Sequence, residues 1–264
     1  SHGHLDASLA KREGQMQRCG IIEVGTRGLR LVVAQVSRKN PRGFEVLRTR
    51  GGLVNLGEKL APGNLNMSHD RMRAAAEMIE DFFREAVDFQ PDNIVVLATE
   101  VLRRAQNVDE FLDMIPEGLS VHILTPPQEA ALSFRAAADS FRGHNIRGGE
   151  LAEGPMILVD LGGGSAEIVG GLFGETADET SIGSTLHLPG IGSVSLQQIF
   201  ENASGGMGDR IDAVERHVEG LWAKQPPLSF DDEEEVDPTE DEISIIALGS
   251  AATELAWRLR GASP

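Results

Sequence analysis

Residues 157–171, ILVDLGGGSAEIVGG, consist of an apolar run that ends in a carboxylate, a turn of three glycines, and a second apolar run. Short apolar runs bounded by turn residues are typical of strands, so the stretch predicts a β-hairpin with Asp160 near the end of its first strand. Glycine turns expose backbone amides and allow a ligand to approach closely, which suits phosphate oxygens. On these residues alone, a phosphate-binding turn and a purely structural turn both remain open.

A second stretch repeats this pattern near the start of the chain. Residues 20–36, GIIEVGTRGLRLVVAQV, place Glu23 where the first stretch has Asp160, and a turn follows over residues 25–28. Two hairpins that each offer backbone amides and one carboxylate predict a cleft that holds phosphate from both sides. A Walker-type loop is excluded because no Gly-Lys-Ser or Gly-Lys-Thr opens a helix. A dinucleotide fingerprint is excluded because the glycines lie between two strands rather than between a strand and a helix.

The segments between and after the hairpins alternate strand-like runs with amphipathic helices. The clearest helix is SHDRMRAAAEMIEDFFREAV, residues 68–87, whose apolar residues recur at helical spacing. This alternation predicts sheets covered by helices. We predict two domains, 18–140 and 141–264, after an N-terminal segment, 1–17, whose opening Ser-His-Gly-His is interpreted as a tag remnant and which is expected to be flexible. The acidic run 231–242 is predicted to be a solvated loop.

The composition is that of an ordinary globular protein with a strongly acidic balance. The 264 residues carry a formal net charge of −17, which argues against a broad nucleic-acid surface because such surfaces depend on clustered Lys and Arg. Cys19 is the only cysteine, which excludes an internal disulfide and a thiolate metal cluster. The apolar runs are too short to cross a bilayer. We therefore expect a cytoplasmic protein with neither a membrane nor a nucleic-acid partner.

The hairpin at 159–169, VDLGGGSAEIV, resembles the second phosphate motif of the exopolyphosphatase/guanosine pentaphosphatase (Ppx/GppA) family. Other segments resemble further motifs in the family's order: ATEVLRRAQNVDEFL at 98–112, VHILTPPQEAALSF at 121–134, GIGSVSLQQIF at 190–200 and ALGSAATELA at 247–256. The resemblance implies an α/β fold with two ribonuclease-H-like domains of the actin-like ATPase superfamily. Each domain would contain a mixed five-stranded sheet flanked by helices, with a cleft between the two domains.

The resemblance also implies hydrolysis of terminal phosphoryl groups with Mg²⁺ as the cofactor. Glu129 lies at the position of the family's catalytic glutamate, which would position or deprotonate the attacking water; an acid favoured by the positive end of a helix is the alternative interpretation. Asp160 aligns with the family's metal-binding acid, and Glu23 in the first motif would be a second metal ligand. Glu167 closes the second motif and would help in catalysis by holding metal or water; otherwise it is an exposed strand residue.

The phosphate-binding residues implied by the resemblance belong mostly to the glycine turns. They are Gly25, Thr26, Arg27, Arg103, Gly162, Gly163, Gly164, Ser165, Gly249 and Ser250. For Arg103 two interpretations stay open, a bidentate contact to phosphate oxygens and a cation on a helix surface. Asn107, one helical turn later, would either orient Arg103 or cap a neighbouring backbone group.

Three substitutions depart from the family pattern within this predicted site. Glu23 replaces an aspartate, Arg27 replaces a neutral amide, and Gln128 replaces an acid next to Glu129. The longer side chain of Glu23 would shift a metal or a bridging water, and Arg27 would either hold phosphate or occupy its place. The family also continues through further helices beyond the point that Pro264 occupies here, so we expect a shortened second domain.

Three functions are compatible with this pattern. The first is a phosphoanhydride hydrolase, of the exopolyphosphatase or guanosine-5′-triphosphate,3′-diphosphate pyrophosphatase type. It would release phosphate from inorganic polyphosphate or from guanosine pentaphosphate. With guanosine penta- and tetraphosphate as its ligands, it would act in the stringent response. The second is a catalytically weakened sensor that binds nucleotide or polyphosphate, which the three substitutions favour. A kinase or chaperone of the same superfamily is a weaker third interpretation, because the catalytic-glutamate segment is present. Family members are often dimers, so we expect a homodimer.

Overall fold

The computed structural model describes residues 16–37, 44–60, 64–141, 153–174, 176, 179–230 and 243–249. In that part of the chain the strands are β1 Met16–Val24, β2 Gly28–Ser37, β3 Phe44–Leu53, β4 Asn93–Ala98, β5 Ser120–Ile123, β6 Gly154–Leu161, β7 Ser165–Phe173, β8 Ser181–Pro189 and β9 Ser244–Leu248. The helices there are α1 His69–Val87, α2 Glu100–Arg104, α3 Val108–Leu112, α4 Pro126–Phe141, α5 Ser193–Asn202 and α6 Met207–Trp222. Within the described residues, every helix is too short or too polar to span a membrane.

The chain divides into two compact units between Leu124 and Thr125. The sheet of the first unit has the order β3-β2-β1-β4-β5, in which β1, β2 and β3 form an antiparallel meander and β4 runs parallel to β1. Side chains alternate between the two faces of a strand, so Ile22 and Val24 of β1 are buried while Glu23 between them is exposed. Helix α1 packs its apolar residues into the same core as Ile22.

The second unit repeats this strand order in its described part. Its sheet runs β8-β7-β6-β9, with β6, β7 and β8 antiparallel and β9 parallel to β6. One face of the sheet packs Met156 and Leu158 against Phe134 of α4. The side chains that point to the other face include Ala166 and Leu188, which form a second cluster with residues of α5 and α6. This two-sided covering leaves the end of β6, at Asp160, close to α4.

The predicted α/β fold, with mixed sheets flanked by helices and two strand-turn-strand hairpins, is confirmed. Three details differ from the prediction. The second sheet shows four strands in the described residues rather than five, and β1 begins at Met16, inside the segment 1–17 that was expected to be flexible. The units divide before Thr125 rather than after residue 140, because the apolar face of α4 belongs to the core of the second unit.

Candidate functional site

The two hairpins close their turns with the same hydrogen bond. In the first unit the amide of Gly25 donates to the carbonyl of Gly28 at 3.0 Å, and in the second the amide of Gly162 donates to the carbonyl of Ser165 at 3.0 Å. The register is equivalent as well, because the acid of each hairpin lies two residues before the first glycine of its turn. The internal repeat predicted from sequence is therefore a repeat of backbone geometry.

The glycine turn of the second unit is braced by the start of α5. The amides of Ser193 and Val194 donate to the carbonyls of Gly162 and Gly163, at 3.0 and 2.8 Å. Because these carbonyls face α5, the amides at the tip are directed elsewhere. Among the described residues, the amides of Gly163 and Gly164 have no backbone acceptor, which is the arrangement that suits an anion.

Gly192, just before α5, is the residue that allows this close packing. A Cβ atom at this position would lie 2.5 Å from the backbone carbon of Gly163 and 2.6 Å from the amide nitrogen of Gly164. Both are backbone atoms of the turn and cannot move aside without moving the turn itself.

We therefore expect Gly192→Ala to displace the turn and to lower the free energy of unfolding by about 1–3 kcal/mol. Gly220→Ala is the matched control, because a Cβ at Gly220 meets no atom within 4 Å and alanine favours the helix by about 0.5–1 kcal/mol. Thermal unfolding of the two variants measures both effects. A Gly192→Ala variant as stable as the wild type would contradict the bracing role.

Asp160 and Glu167 face each other directly across β6 and β7. Asp160 Oδ2 accepts a 2.6 Å hydrogen bond from the hydroxyl of Ser133 on α4. Burial raises the pKa of Asp160 above its ordinary value; the Ser133 hydrogen bond opposes this shift, and the nearby charge of Glu167 adds to it. A cation bound to this carboxylate would reverse the shift, because it favours the ionised form.

Glu129 lies in the first turn of α4 and is half-buried. Ser133 follows it by four residues, so the two side chains lie on one face of the helix, one turn apart. Since Ser133 contacts Asp160, Glu129 is on the side of α4 that faces this part of β6. Gln128 accepts hydrogen bonds from the amide and hydroxyl of Thr125, at 2.9 and 3.0 Å, and so caps the start of α4.

Glu167 is almost fully buried, with 2% of its surface exposed, rather than being an exposed strand residue. Its Oε1 atom accepts a hydrogen bond from Ser165 Oγ at 3.0 Å and lies 2.8 Å from His187 Nδ1. His187 and Ser133 were not among the residues predicted from the sequence. The four-residue spacing from Glu129 could have indicated Ser133, but His187 becomes visible only from the pairing of β7 with β8.

Gly249 directly follows β9 and lies beside the start of the glycine turn. It has a φ of +99°, a conformation that favours glycine, and a Cβ there would collide with the carbonyl of Leu161. The structure thus brings Gly249 next to the residue that precedes Gly162. Ser250, predicted with it, lies outside the described residues.

The first unit holds the remaining predicted residues. Glu23 is exposed and faces Arg30 across β1 and β2. Thr26 is buried, and its carbonyl accepts the amide of Gly57 at 3.0 Å. Arg27 is exposed, while its carbonyl accepts two amides of the segment after β3. The backbone of this turn is therefore fixed, and the Arg27 side chain is accessible.

Arg103 is anchored by residues of the first unit. Its guanidinium donates to the carbonyl of Leu124 at 2.6 Å and to the buried carboxylate of Glu100 at 3.1 Å. Asn107 binds the backbone of Met67 through both side-chain atoms, at 2.8 and 3.0 Å, which supports the interpretation that it caps a backbone group. A phosphate contact of Arg103 stays a prediction.

Arg103→Ala is expected to lower the free energy of unfolding by about 1–3 kcal/mol, because it removes a charged partner from a buried carboxylate. Arg84→Ala is the control, since it breaks an exposed pair with Glu80 that is worth about 0.5 kcal/mol or less. Chemical denaturation compares the two. An Arg103→Ala variant of unchanged stability that no longer binds inorganic triphosphate would instead assign Arg103 to direct phosphate contact.

The donor set fits magnesium bound largely through a phosphate ligand. Mg²⁺ is usually held by one or two carboxylates, waters and substrate phosphates, and Asp160 is a carboxylate beside a turn with available amides. In the described part of the chain, no three His, Cys, Asp or Glu side chains converge as a metal site. The predicted ligands Glu23 and Asp160 belong to different compact units, and their joint role stays a prediction.

The sequence of the chain is similar to those of proteins whose family is known. Residues 32–221 match the profile of the Ppx/GppA phosphatase family. Exopolyphosphatase 2 of Mycobacterium tuberculosis, in strains CDC 1551 / Oshkosh and ATCC 25618 / H37Rv, is 30% identical over 170 residues, which cover 58% of this chain and 48% of the relative. The chain thus spans about half the length of these curated relatives.

Solved structures show the same fold. The Aquifex aeolicus PPX-GPPA enzyme matches 93% of this chain and 72% of its own, at 25% identity and a TM-score of 0.64. An exopolyphosphatase from Cytophaga hutchinsonii matches 93% of this chain and 72% of its own, at 19% identity and a TM-score of 0.66. The latter, at this identity, supports the fold alone.

Proposed function

We propose, from the premise that this chain belongs to the Ppx/GppA phosphatase family, that it hydrolyses the terminal phosphoanhydride bond of inorganic polyphosphate. The observation that carries the proposal is the 2.6 Å hydrogen bond between Ser133 and Asp160. It ties the helix that bears Glu129 to the strand that bears Asp160, beside a glycine turn with available amides. The relatives named exopolyphosphatase support polyphosphate as the substrate.

In the proposed reaction the turn holds the terminal phosphate. The amides of Gly163 and Gly164 donate to its oxygens, and the small residues allow the close approach that these contacts need. Arg27 would add a positive charge from the first unit. This local charge is needed because the chain as a whole carries −17.

Glu129 is the proposed general base. It accepts a proton from a water whose oxygen attacks the terminal phosphorus, and the bond from that phosphorus to the bridging oxygen breaks, so that the rest of the chain leaves. Asp160 and Glu23 would hold magnesium. The metal, when bound, would neutralise charge that develops on the leaving oxygen. Glu167 would orient the attacking water.

The substrate test is a phosphate-release assay on the full chain with polyphosphate, guanosine pentaphosphate and ATP, each with and without Mg²⁺. We expect magnesium-dependent release, greatest with polyphosphate. Greatest release from guanosine pentaphosphate would keep the mechanism and change the substrate. Thermal stabilisation by polyphosphate with no phosphate released from any compound would contradict a hydrolase and support the binding-only sensor.

A further inference from the structure

We propose that His187 is a positioning residue that holds the carboxylate of Glu167 in a fixed orientation. What the carboxylate then does rests on the proposed function, but the contact stands on geometry. His187 Nδ1 lies 2.8 Å from Glu167 Oε1, a normal hydrogen-bond distance. The two residues face each other directly on β7 and β8.

His187 completes a row of three side chains across the sheet. Asp160 faces Glu167, and Glu167 faces His187, on the adjacent strands β6, β7 and β8. Residues directly opposite one another project to the same face of a sheet, so all three belong to the face that α4 covers. The row lies next to the glycine turn, because Asp160 is two residues before Gly162.

Two donors from the described residues reach the same oxygen of Glu167. Ser165 Oγ lies 3.0 Å from Oε1, and His187 Nδ1 lies 2.8 Å from it. Two donors on one oxygen fix the carboxylate plane more firmly than one donor does. We therefore assign Oε2 to the attacking water of the proposed reaction.

A hydrogen bond from His187 would also offset the cost of burying the negatively charged carboxylate of Glu167. Glu167 is 2% exposed and directly opposite Asp160, and a buried carboxylate beside another one is unfavourable unless it is hydrogen-bonded or paired. A serine hydroxyl can rotate to another acceptor. The imidazole ring, carried on a neighbouring strand, offers a donor whose direction is set by the backbone pairing.

The kinetic test compares His187→Leu with His187→Asn. Removing a residue that orients a ligand typically costs about 10–100-fold, so we expect His187→Leu to lower kcat by that factor with little change in KM. His187→Asn places an amide N–H near the position of Nδ1 and should restore most of the loss. His69→Leu, at the exposed start of α1, is the control and should match the wild type.

A double substitution shows whether His187 acts through Glu167. In a Glu167→Gln background, His187→Leu should cause little further loss of kcat, because the group it orients is already changed. A full additional 10–100-fold loss in that background would overturn the inference. Equal losses in His187→Leu and His187→Asn would also overturn it.

Nitrogen-15 NMR of the ligand-free wild type tests the contact without any turnover. Two-bond proton–nitrogen correlations should show a proton on Nδ1 of His187, and an unprotonated Nδ1 would overturn the inference even in an active enzyme. A wild type that releases no phosphate would overturn the proposed function instead, and the NMR result would still decide whether His187 holds Glu167.

Discussion

Glu129→Gln is expected to lower kcat for phosphate release by roughly 10²–10⁴-fold, the usual contribution of a general base. Glutamine keeps the size and hydrogen-bonding capacity of the side chain but cannot accept the proton of the attacking water. Glu129 is half-buried in the first turn of α4, so the change removes a charge without opening a cavity. KM should change little, because the turn proposed to hold phosphate is intact.

The control for this experiment is Glu77→Gln, an exposed glutamate of α1 that should leave kcat unchanged. Thermal stabilisation by inorganic triphosphate should be equal in wild type and Glu129→Gln, which shows that binding survives the substitution. A Glu129→Gln variant with more than about a tenth of the wild-type kcat would contradict general-base catalysis by this residue, given the usual 10²–10⁴-fold contribution.

Asp160→Asn is expected to abolish the magnesium dependence and to lower kcat by at least about a hundredfold, a loss of the order found on removing one charge-stabilising group. The same change should raise Tm at pH 7. The reason is that burial raises the pKa of Asp160. The ionised carboxylate therefore costs folding free energy at neutral pH, and asparagine removes that cost.

The direction of the pKa shift of Asp160 determines how the Tm difference between Asp160→Asn and the wild type depends on pH. An acid whose pKa is higher in the folded protein destabilises the fold above that pKa, and the cost disappears below the pKa of the unfolded chain. The Tm advantage of Asp160→Asn should therefore shrink as the pH falls through the acidic range. Asp212→Asn, exposed on α6, is the control. A decrease in Tm with full magnesium-dependent activity would contradict the assigned role of Asp160.

The sequence predicted those parts of the site that depend on local pattern. Each hairpin is visible because apolar runs, a terminal acid and glycines follow one another within about fifteen residues, as short-range strand and turn signals do. Gly192, in contrast, is one glycine among many in the sequence. Its importance comes from the backbone of Gly163, which is distant along the chain and close only in the folded unit.

Contacts set by strand pairing or helix packing were not predictable from local pattern. His187 reads as a polar residue between leucines until β8 is paired with β7 in the observed register. The predicted boundary between the two units, after residue 140, was wrong for a related reason. The apolar residues of α4 show that one face is buried, but they do not reveal which sheet that face covers. The structure assigns that face to Met156 and Leu158, so α4 belongs with the second unit.

The most direct test of the account is hydrolysis of polyphosphate by the wild type in ¹⁸O-labelled water with Mg²⁺. Attack of water on the terminal phosphorus predicts one ¹⁸O atom in each phosphate released and none at the new end of the shortened chain. Label at the chain end rather than in the released phosphate would contradict attack on the terminal phosphorus, and the absence of released phosphate would contradict the proposed hydrolase.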